Sequence, residues 1–387
     1  MSEYQYYEFL AIDRPLTEDE MAELRALSTR AVITPVSFTN EYNWGDFKGD
    51  PEKLMQRYQR YFDAHVYVAN WMTAIFMVRL PIEALTQETV KAVTVPYILD
   101  IKDTKTHWII TWSLEESEDY DRFGMDDGRG WMARLAPVRD ELLRGDLRSL
   151  YIGWLAALSQ EMMDDDEIEP LSVSGLGDLT AAQQALAEFL EVDPDLLAGA
   201  GMGSPAAPKA EISPQEMDKW INTLPREEVN SILKQLLEGK GQQAERSVRN
   251  RFAVWRRGLQ TDDTDAPRRT VGKLRKNAEK ARLIRIEKQK RDRKQREIKR
   301  REKRKAYLKN LSSDFPKAWA LVKEPVERGS GRGYDEACRI LVDIAEAYDL
   351  FATKKQFQNE LKKFMAGHLR RKALIKRLVK AGIWEEE

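Results

Sequence analysis

The chain has 387 residues, with 63 Lys or Arg against 64 Asp or Glu, so its formal net charge at pH 7 is only −1. This length predicts about two or three domains. The single cysteine, Cys338, excludes a disulfide framework and a cysteine-based zinc site within the chain. No apolar run reaches the roughly 18 residues that span a membrane, and residues 1–7 lack the pattern of a signal peptide. We therefore predict a cytoplasmic protein without a membrane partner.

Residues 1–165 have the pattern of an α+β domain. Aromatic and β-branched residues predict strands at 4–12, 31–39, 65–70, 73–80, 97–102 and 107–114. A capping box at Thr17 predicts the first helix, and helices are also predicted at 51–62, 131–144 and 147–163. Together these elements predict a mainly antiparallel sheet of about five or six strands with helices on one side.

The remainder of the chain is predicted to be all-α. Residues 166–210 form an acidic linker rich in Gly and Pro, with one short helix at 180–190 and a flexible part at 199–209. Residues 211–260 form a small helical region, residues 268–309 a long basic helix, and residues 312–387 a C-terminal helical bundle.

The basic segment dominates the distribution of charge. Residues 268–309 hold 21 Lys or Arg against five acids, a net charge of +16, whereas residues 1–170 have a net charge of −15. Neither Gly nor Pro occurs between Gly272 and Lys309, and good helix formers predominate. Apolar residues are too sparse there for a continuous buried face. The segment therefore predicts a helix that is solvated, or covered by an acidic partner or by the acidic half of the chain itself.

The leading functional interpretation of this helix is contact with a polyanion. Lys and Arg side chains neutralise phosphates and release counterions, which gives salt-dependent binding without sequence choice. No aromatic residue precedes Tyr307 in the segment, so base stacking is not predicted and backbone contact with duplex DNA or structured RNA is favoured. The residues predicted to make this contact are Arg285, Lys288, Arg291, Arg293, Lys294, Arg296, Lys299, Arg300, Arg301 and Arg304.

Two loops carry carboxylates that could serve an enzyme. Asp46 and Asp50 lie on one glycine-bearing loop, and Asp126 and Asp127 lie on another, where paired carboxylates could hold Mg²⁺. Alternatively, Asp50 caps the following helix and Asp127-Gly128 is ordinary turn chemistry. The spacing matches neither an EF-hand nor a phosphate-binding loop, so we assign no catalytic residue, cofactor or metal.

The remaining reactive side chains favour structural roles. His65, His107 and His368 show no metal-ligand spacing, and they are predicted to be core or surface residues. Cys338 is predicted to be a buried structural thiol on a helix. The acidic run at 163–167 is predicted to be a solvated linker.

Two parts of the chain resemble known families. Residues 6–17 (YYEFLAIDRPLT) and 40–51 (NEYNWGDFKGDP) resemble a family of uncharacterised bacterial cytosolic proteins, and this resemblance covers the N-terminal half without implying an activity. The end of the chain, through 357–361 (FQNEL) to 378–383 (LVKAGI), is similar to the helical tails of bacterial SWIM zinc-finger proteins. The Cys and His ligands of that finger are missing from this sequence, so zinc binding is not implied.

Three classes of function remain open at this point. The first is a nucleic-acid- or ribonucleoprotein-associated protein that grips RNA or DNA backbone through the basic helix. The second is an interaction scaffold, in which the N-terminal sheet and the C-terminal helices each bind a protein partner and the basic helix is a spacer that sets their distance. The third is an enzyme with a site at the two carboxylate loops.

Overall fold

The computed structural model describes residues 4–43, 47, 49, 54–55, 61–69, 73–115, 128–206, 213–259 and 267–385. The chain divides into two compact units, Met1–Ile284 and Arg285–Glu387. The first unit holds the sheet, and the elements in the described part of the second unit are all helices.

The sheet of the first unit has seven antiparallel strands in the order β2-β3-β1-β4-β5-β7-β6. The strands are β1 Gln5–Leu10, β2 Val32–Thr34, β3 Ser37–Tyr42, β4 Ala64–Ala69, β5 Thr73–Pro81, β6 Leu99–Asp103 and β7 His107–Leu114. A turn at 103–106 joins β6 to β7, with the backbone N–H of Thr104 donating to the carbonyl of His107 at 2.8 Å. This sheet and the helices that follow it confirm the predicted α+β class.

Both faces of the sheet are buried, because successive side chains of a strand point to opposite faces. On β5, Phe76 belongs to one core and its neighbour Met77 to the other. The second core also contains Phe9 and Phe38, which pair across β1 and β3. Each face of the sheet is therefore packed against its own set of residues.

Helix α1 (Glu18–Leu27) covers the Phe9 face through the buried Leu24. It begins at the predicted capping box, in which the Thr17 hydroxyl accepts from the N–H of Glu20 and the Glu20 carboxylate accepts from the N–H of Thr17. The helix predicted at 51–62 lies mostly outside the described residues, although Leu54 and Met55 are helical and buried.

Most other helices of this unit pack on the Phe76 face. They are α2 Gln87–Val93, α3 Trp131–Leu135, α4 Pro137–Leu143, α5 Arg148–Ser159, α6 Ala181–Phe189 and α7 Pro194–Gly201. The single helix predicted at 131–144 is divided, because Pro137 lacks a backbone N–H and starts a new helix. Three further helices follow, α8 Pro214–Thr223, α9 Arg226–Leu237 and α10 Gly241–Leu259.

The basic segment forms the long helix α11, Val271–Ser312, as predicted. Its first turns belong to the core of the first unit, where Val271 and Leu274 are fully buried. The N–H of Val271 donates to the carbonyl of Glu167, and the N–H of Gly272 donates to that of Asp165. The connector before α6 therefore satisfies backbone donors that the start of a helix leaves unpaired.

The sequence predicted a flexible linker at 199–209, but Gly199 and Gly201 lie within helix α7. A Cβ atom on Gly199 would lie only 2.5 Å from the backbone nitrogen of Ala278 on α11. Position 199 therefore requires glycine because two helices cross closely there. Glycine is also common in flexible linkers, so the sequence alone does not distinguish the two roles.

The second unit contains the rest of α11 and the helices α12 Phe315–Glu327, α13 Gly331–Phe351, α14 Lys354–Ala366 and α15 Lys372–Lys380. Their shared core includes Val322, Leu341, Phe357, Leu361, Leu374 and Leu378. A Cβ atom on Gly333 would lie 2.4 Å from the carbonyl oxygen of Pro325, so α12 and α13 also meet closely. Across the described residues, none of the helices combines the length and apolar character needed to cross a membrane.

Candidate nucleic-acid interface

The residues predicted to contact phosphate lie on the part of α11 that belongs to the second unit. Consecutive residues of an α-helix are about 100° apart, since there are roughly 3.6 residues per turn. Neighbours such as Arg293 and Lys294, or Arg300 and Arg301, therefore point in different directions. All four are exposed, so positive charge surrounds the helix and does not form a single stripe.

Most of these cations have no acidic partner in the part of the second unit that the structure describes. The side chains in this state are Lys288, Arg291, Arg293, Lys294, Arg296, Lys299 and Arg300. The Arg301 guanidinium does form an ion pair, with Glu297 at 2.8 Å one turn earlier. Both partners of that pair are exposed, so it contributes only about 0.3–0.5 kcal/mol and Arg301 stays accessible to an anion.

Arg304 differs because it holds α11 against α13. Its guanidinium donates to Asp343 Oδ1 at 2.6 Å and also to Glu346, while the Tyr307 hydroxyl donates to Asp343 Oδ2 at 3.0 Å. The hydrogen bond to Glu346 contributes most to raising the pKa of Arg304 above its ordinary value. Arg304 therefore has a structural role within the second unit.

The start of the basic segment is neutralised inside the first unit. The Arg269 guanidinium binds the carboxylate of Glu169, with Nη2 to Oε2 at 2.9 Å, and donates to the carbonyl of Ala200 at 2.7 Å. Glu169 is 3% exposed and also accepts from the Tyr151 hydroxyl at 2.6 Å. Arg269 and the first turns of α11 thus dock on the acidic half, the alternative left open for this segment.

The acidic run at 163–167 takes part in this docking, although the sequence predicted a solvated linker. Arg275 of α11 forms an ion pair with Asp165 and donates to the carbonyl of Met163 at 2.9 Å. The run therefore carries charges that match the first basic turns of α11. The physical reason is proximity, since the fold brings residues more than a hundred positions apart into contact.

A buried ion network connects the sheet to α4, and it has no counterpart in the sequence motifs. Arg139 is fully buried and binds the Asp13 carboxylate, with Nη2 to Oδ2 at 2.7 Å. Arg79 Nη2 donates to Asp63 Oδ1 at 2.6 Å, and Arg139 Nε donates to the carbonyl of Arg79 at 2.8 Å. These charges neutralise one another, which indicates a structural network.

The carboxylates of the two loops predicted from the sequence are not among the residues that the structure describes. Asp46, Asp50, Asp126 and Asp127 lie outside the described residues, so the carboxylate-loop hypothesis stays a prediction. In the ranges that the structure does describe, His, Cys, Asp and Glu form no group of three or more that could hold a metal ion.

The surroundings of His65 and Cys338 are typical of side chains with a structural role. His65 is 1% exposed and stacks on Phe9 with ring centroids 3.9 Å apart, and burial lowers its pKa to about 3. Cys338 is half-buried on α13, and burial raises the pKa of its thiol. A raised pKa makes the nucleophilic thiolate scarce, in keeping with the structural role predicted for this cysteine.

Comparisons with protein families, with curated proteins and with solved structures give no match for this chain. The two family resemblances therefore stay predictions. Function has to be inferred from the charges and contacts of the chain itself.

Proposed function

We propose that this protein binds the phosphate backbone of nucleic acid, free or within a ribonucleoprotein, without sequence preference. The observation that carries the proposal is the set of exposed cations on α11 that have no acidic partner among the described residues of their unit. A polyanion would supply the missing countercharge.

Repulsion within the helix supports this proposal. Arg296 and Arg300, like Lys299 and Lys303, are four residues apart and so lie on the same side of α11. Each such like-charge pair destabilises a helix by roughly 0.2–0.5 kcal/mol. Phosphates placed between these side chains would convert repulsion into attraction, so binding should also stabilise this stretch of helix.

The chemistry of the side chains favours backbone contact over base recognition. Arginine binds phosphate oxygens through two parallel N–H donors, and lysine binds them as a point charge. Residues 285–304 contain no aromatic side chain on which a base could stack. Charge on all sides of the helix also suits a partner that is recognised by charge density.

The expected salt dependence follows from the number of phosphates neutralised. For duplex DNA, log K falls against log salt with a slope of about −0.9 per phosphate contacted. Because the unpaired cations surround α11, one duplex can meet roughly half of them, or about three or four, so α11 should contribute about −3 to the slope.

The test compares two charge-matched variants of the full chain. In one, the α11 residues Arg293, Lys294, Lys299 and Arg300 are changed to Gln. In the control, four exposed cations of the first unit are changed to Gln, namely Arg30, Lys91, Lys105 and Arg226. Binding of labelled duplex DNA, structured RNA and single strands is measured by fluorescence anisotropy across a salt series.

We expect the α11 variant to lose about two units of slope and the control to keep the slope of the unaltered protein. Absence of binding by the unaltered protein at low salt would refute the proposal, as would equal slopes for the two variants. In that case the second hypothesis from the sequence, a scaffold with α11 as spacer, would be favoured. It predicts a complex with a protein partner that withstands nuclease treatment and high salt.

A further inference from the structure

The last two helices of the second unit contain a second excess of positive charge. Residues 354–380, which include α14 and α15, hold ten Lys or Arg against one acid, Glu360. Over residues 310–387 the net charge is only +3, because most acids of this stretch lie on α12 and α13 or at the end of the chain. Averaging over the bundle therefore conceals a local basic surface.

On α15 the charge is arranged as a ladder. Lys372, Lys376 and Lys380 are four residues apart, so they lie on one side of the helix with about 6 Å between successive positions along the axis. All three side chains are exposed. Leu374 and Leu378 on the other side are fully buried in the core of the bundle. The fold thus fixes which side of α15 faces solvent.

Two arginines beside this ladder form contacts within the bundle. Arg371 donates to the Tyr334 hydroxyl at 3.1 Å and to the carbonyl of Val326, and Arg377 Nε donates to Asp335 Oδ1 at 2.6 Å. In contrast, none of the three lysines has an acidic partner among the described residues of the second unit. Their charge is therefore available to an external anion.

The burial of α15 decides which class of polyanion fits. A basic amphipathic helix can bind a membrane surface, but it must then insert its apolar side into the lipid. On α15 that side is already occupied, because Leu374 and Leu378 belong to the bundle core, and Val379 is its one large apolar side chain exposed among the described residues. A nucleic-acid backbone requires only the exposed cations.

We infer that Lys372, Lys376 and Lys380 form a second contact surface for the phosphate backbone, in addition to α11. This inference rests on the proposed function. It assigns the C-terminal bundle a direct role in binding, whereas contact through α11 alone would leave the bundle outside the interface.

The experiment uses the full chain and labelled duplex DNA in a salt series. The test variant is Lys372→Gln, Lys376→Gln and Lys380→Gln. The control removes three exposed cations of α12 and α13 that lie among acids, by Lys317→Gln, Lys323→Gln and Arg332→Gln. A second test variant changes the three α15 lysines to Arg, which keeps the charge. Circular dichroism checks that each variant is folded, since Gln and Arg have helix propensities close to that of Lys.

We expect the α15 Gln variant to lose about 0.9 units of slope for each lysine removed, or roughly 2.7 in total, while the Arg variant and the control keep the original slope. If the α15 Gln variant keeps the original slope while the α11 variant loses it, the proposed function stands and this inference is wrong. If the unaltered protein binds no nucleic acid, both are wrong. Loss of binding to phosphatidylserine vesicles, with nucleic-acid binding unchanged, would assign the ladder to membranes and also overturn the inference.

Discussion

The buried His65 should make the first unit sensitive to acid. Its ring lies in the aromatic core between Tyr7 and Phe9, and its Nδ1–H donates to the carbonyl of Glu8 at 3.1 Å. Burial lowers the pKa of His65 from its ordinary value of 6.5 to about 3, so the folded protein holds the ring neutral while the unfolded chain can protonate it. We take His65→Phe as the perturbation, because Phe keeps a ring and cannot titrate.

The sign and size of the effect follow from this difference in pKa. Above pH 6.5 the ring is neutral in both states and the stability is fully present. Below pH 6.5 the unfolded state binds a proton on His65 and the folded state does not. The stability of the fold therefore decreases until the pH approaches the folded pKa of about 3. At pH 5 the loss is about 2 kcal/mol, at about 1.4 kcal/mol per pH unit.

The assay is urea unfolding at pH 7.5 and pH 5. Unfolding is monitored by hydrogen-exchange mass spectrometry of peptides from β1 and β4, because these peptides report on the first unit alone. Between these pH values the unaltered protein should lose about 2 kcal/mol more than His65→Phe. Loss of the hydrogen bond to Glu8 shifts the variant by about 1 kcal/mol at both pH values, so it cancels. The control, His368→Gln, lies in the second unit and should leave the pH dependence measured in the β1 and β4 peptides as it is in the unaltered protein. Equal pH dependence for His65→Phe and the unaltered protein would refute the reasoning.

Two further predictions concern the docking of α11 in the first unit. Gly199→Ala should destabilise that unit by about 1–3 kcal/mol, because its Cβ would meet the backbone of Ala278. Gly258→Ala, in a helix with open space around it, should instead be neutral or stabilising by up to about 1 kcal/mol; urea midpoints that move the same way for both would contradict this. Arg269→Met should cost about 3–5 kcal/mol because it leaves the buried Glu169 carboxylate without a countercharge, and adding Glu169→Leu should recover much of this loss. A double variant no more stable than Arg269→Met in the same urea titration would show that the ion pair is not the cause.

Much of the fold could be predicted because it depends on neighbouring residues. The capping box at Thr17 formed because Glu20 lies three positions later, and the strands at 73–80 and 107–114 follow from their apolar and β-branched residues. Helix α11 follows from a long run of good helix formers without Gly or Pro. These interactions act within a few residues, so a linear pattern contains them.

The candidate interface was predictable only in part, because some of its contacts join residues that are far apart in the sequence. The basic character of α11 is visible in the composition, whereas the use of Arg304 depends on Asp343 and Glu346, about forty positions away. The lysine ladder of α15 was concealed because acids elsewhere in the bundle cancel its charge in the sequence average, although they do not pair with it in space.

The sequence by itself therefore determined the helices, most of the strands and the concentration of positive charge, since propensity, capping and composition are local properties of the chain. The tertiary structure alone decided which charges are neutralised and which stay exposed. Arg269 meets Glu169 across a hundred positions, and Gly199 meets Ala278, because the packing of the sheet and helices brings them together. The cations in the middle of α11 stay without acidic partners among the described residues, which makes them the candidates for binding.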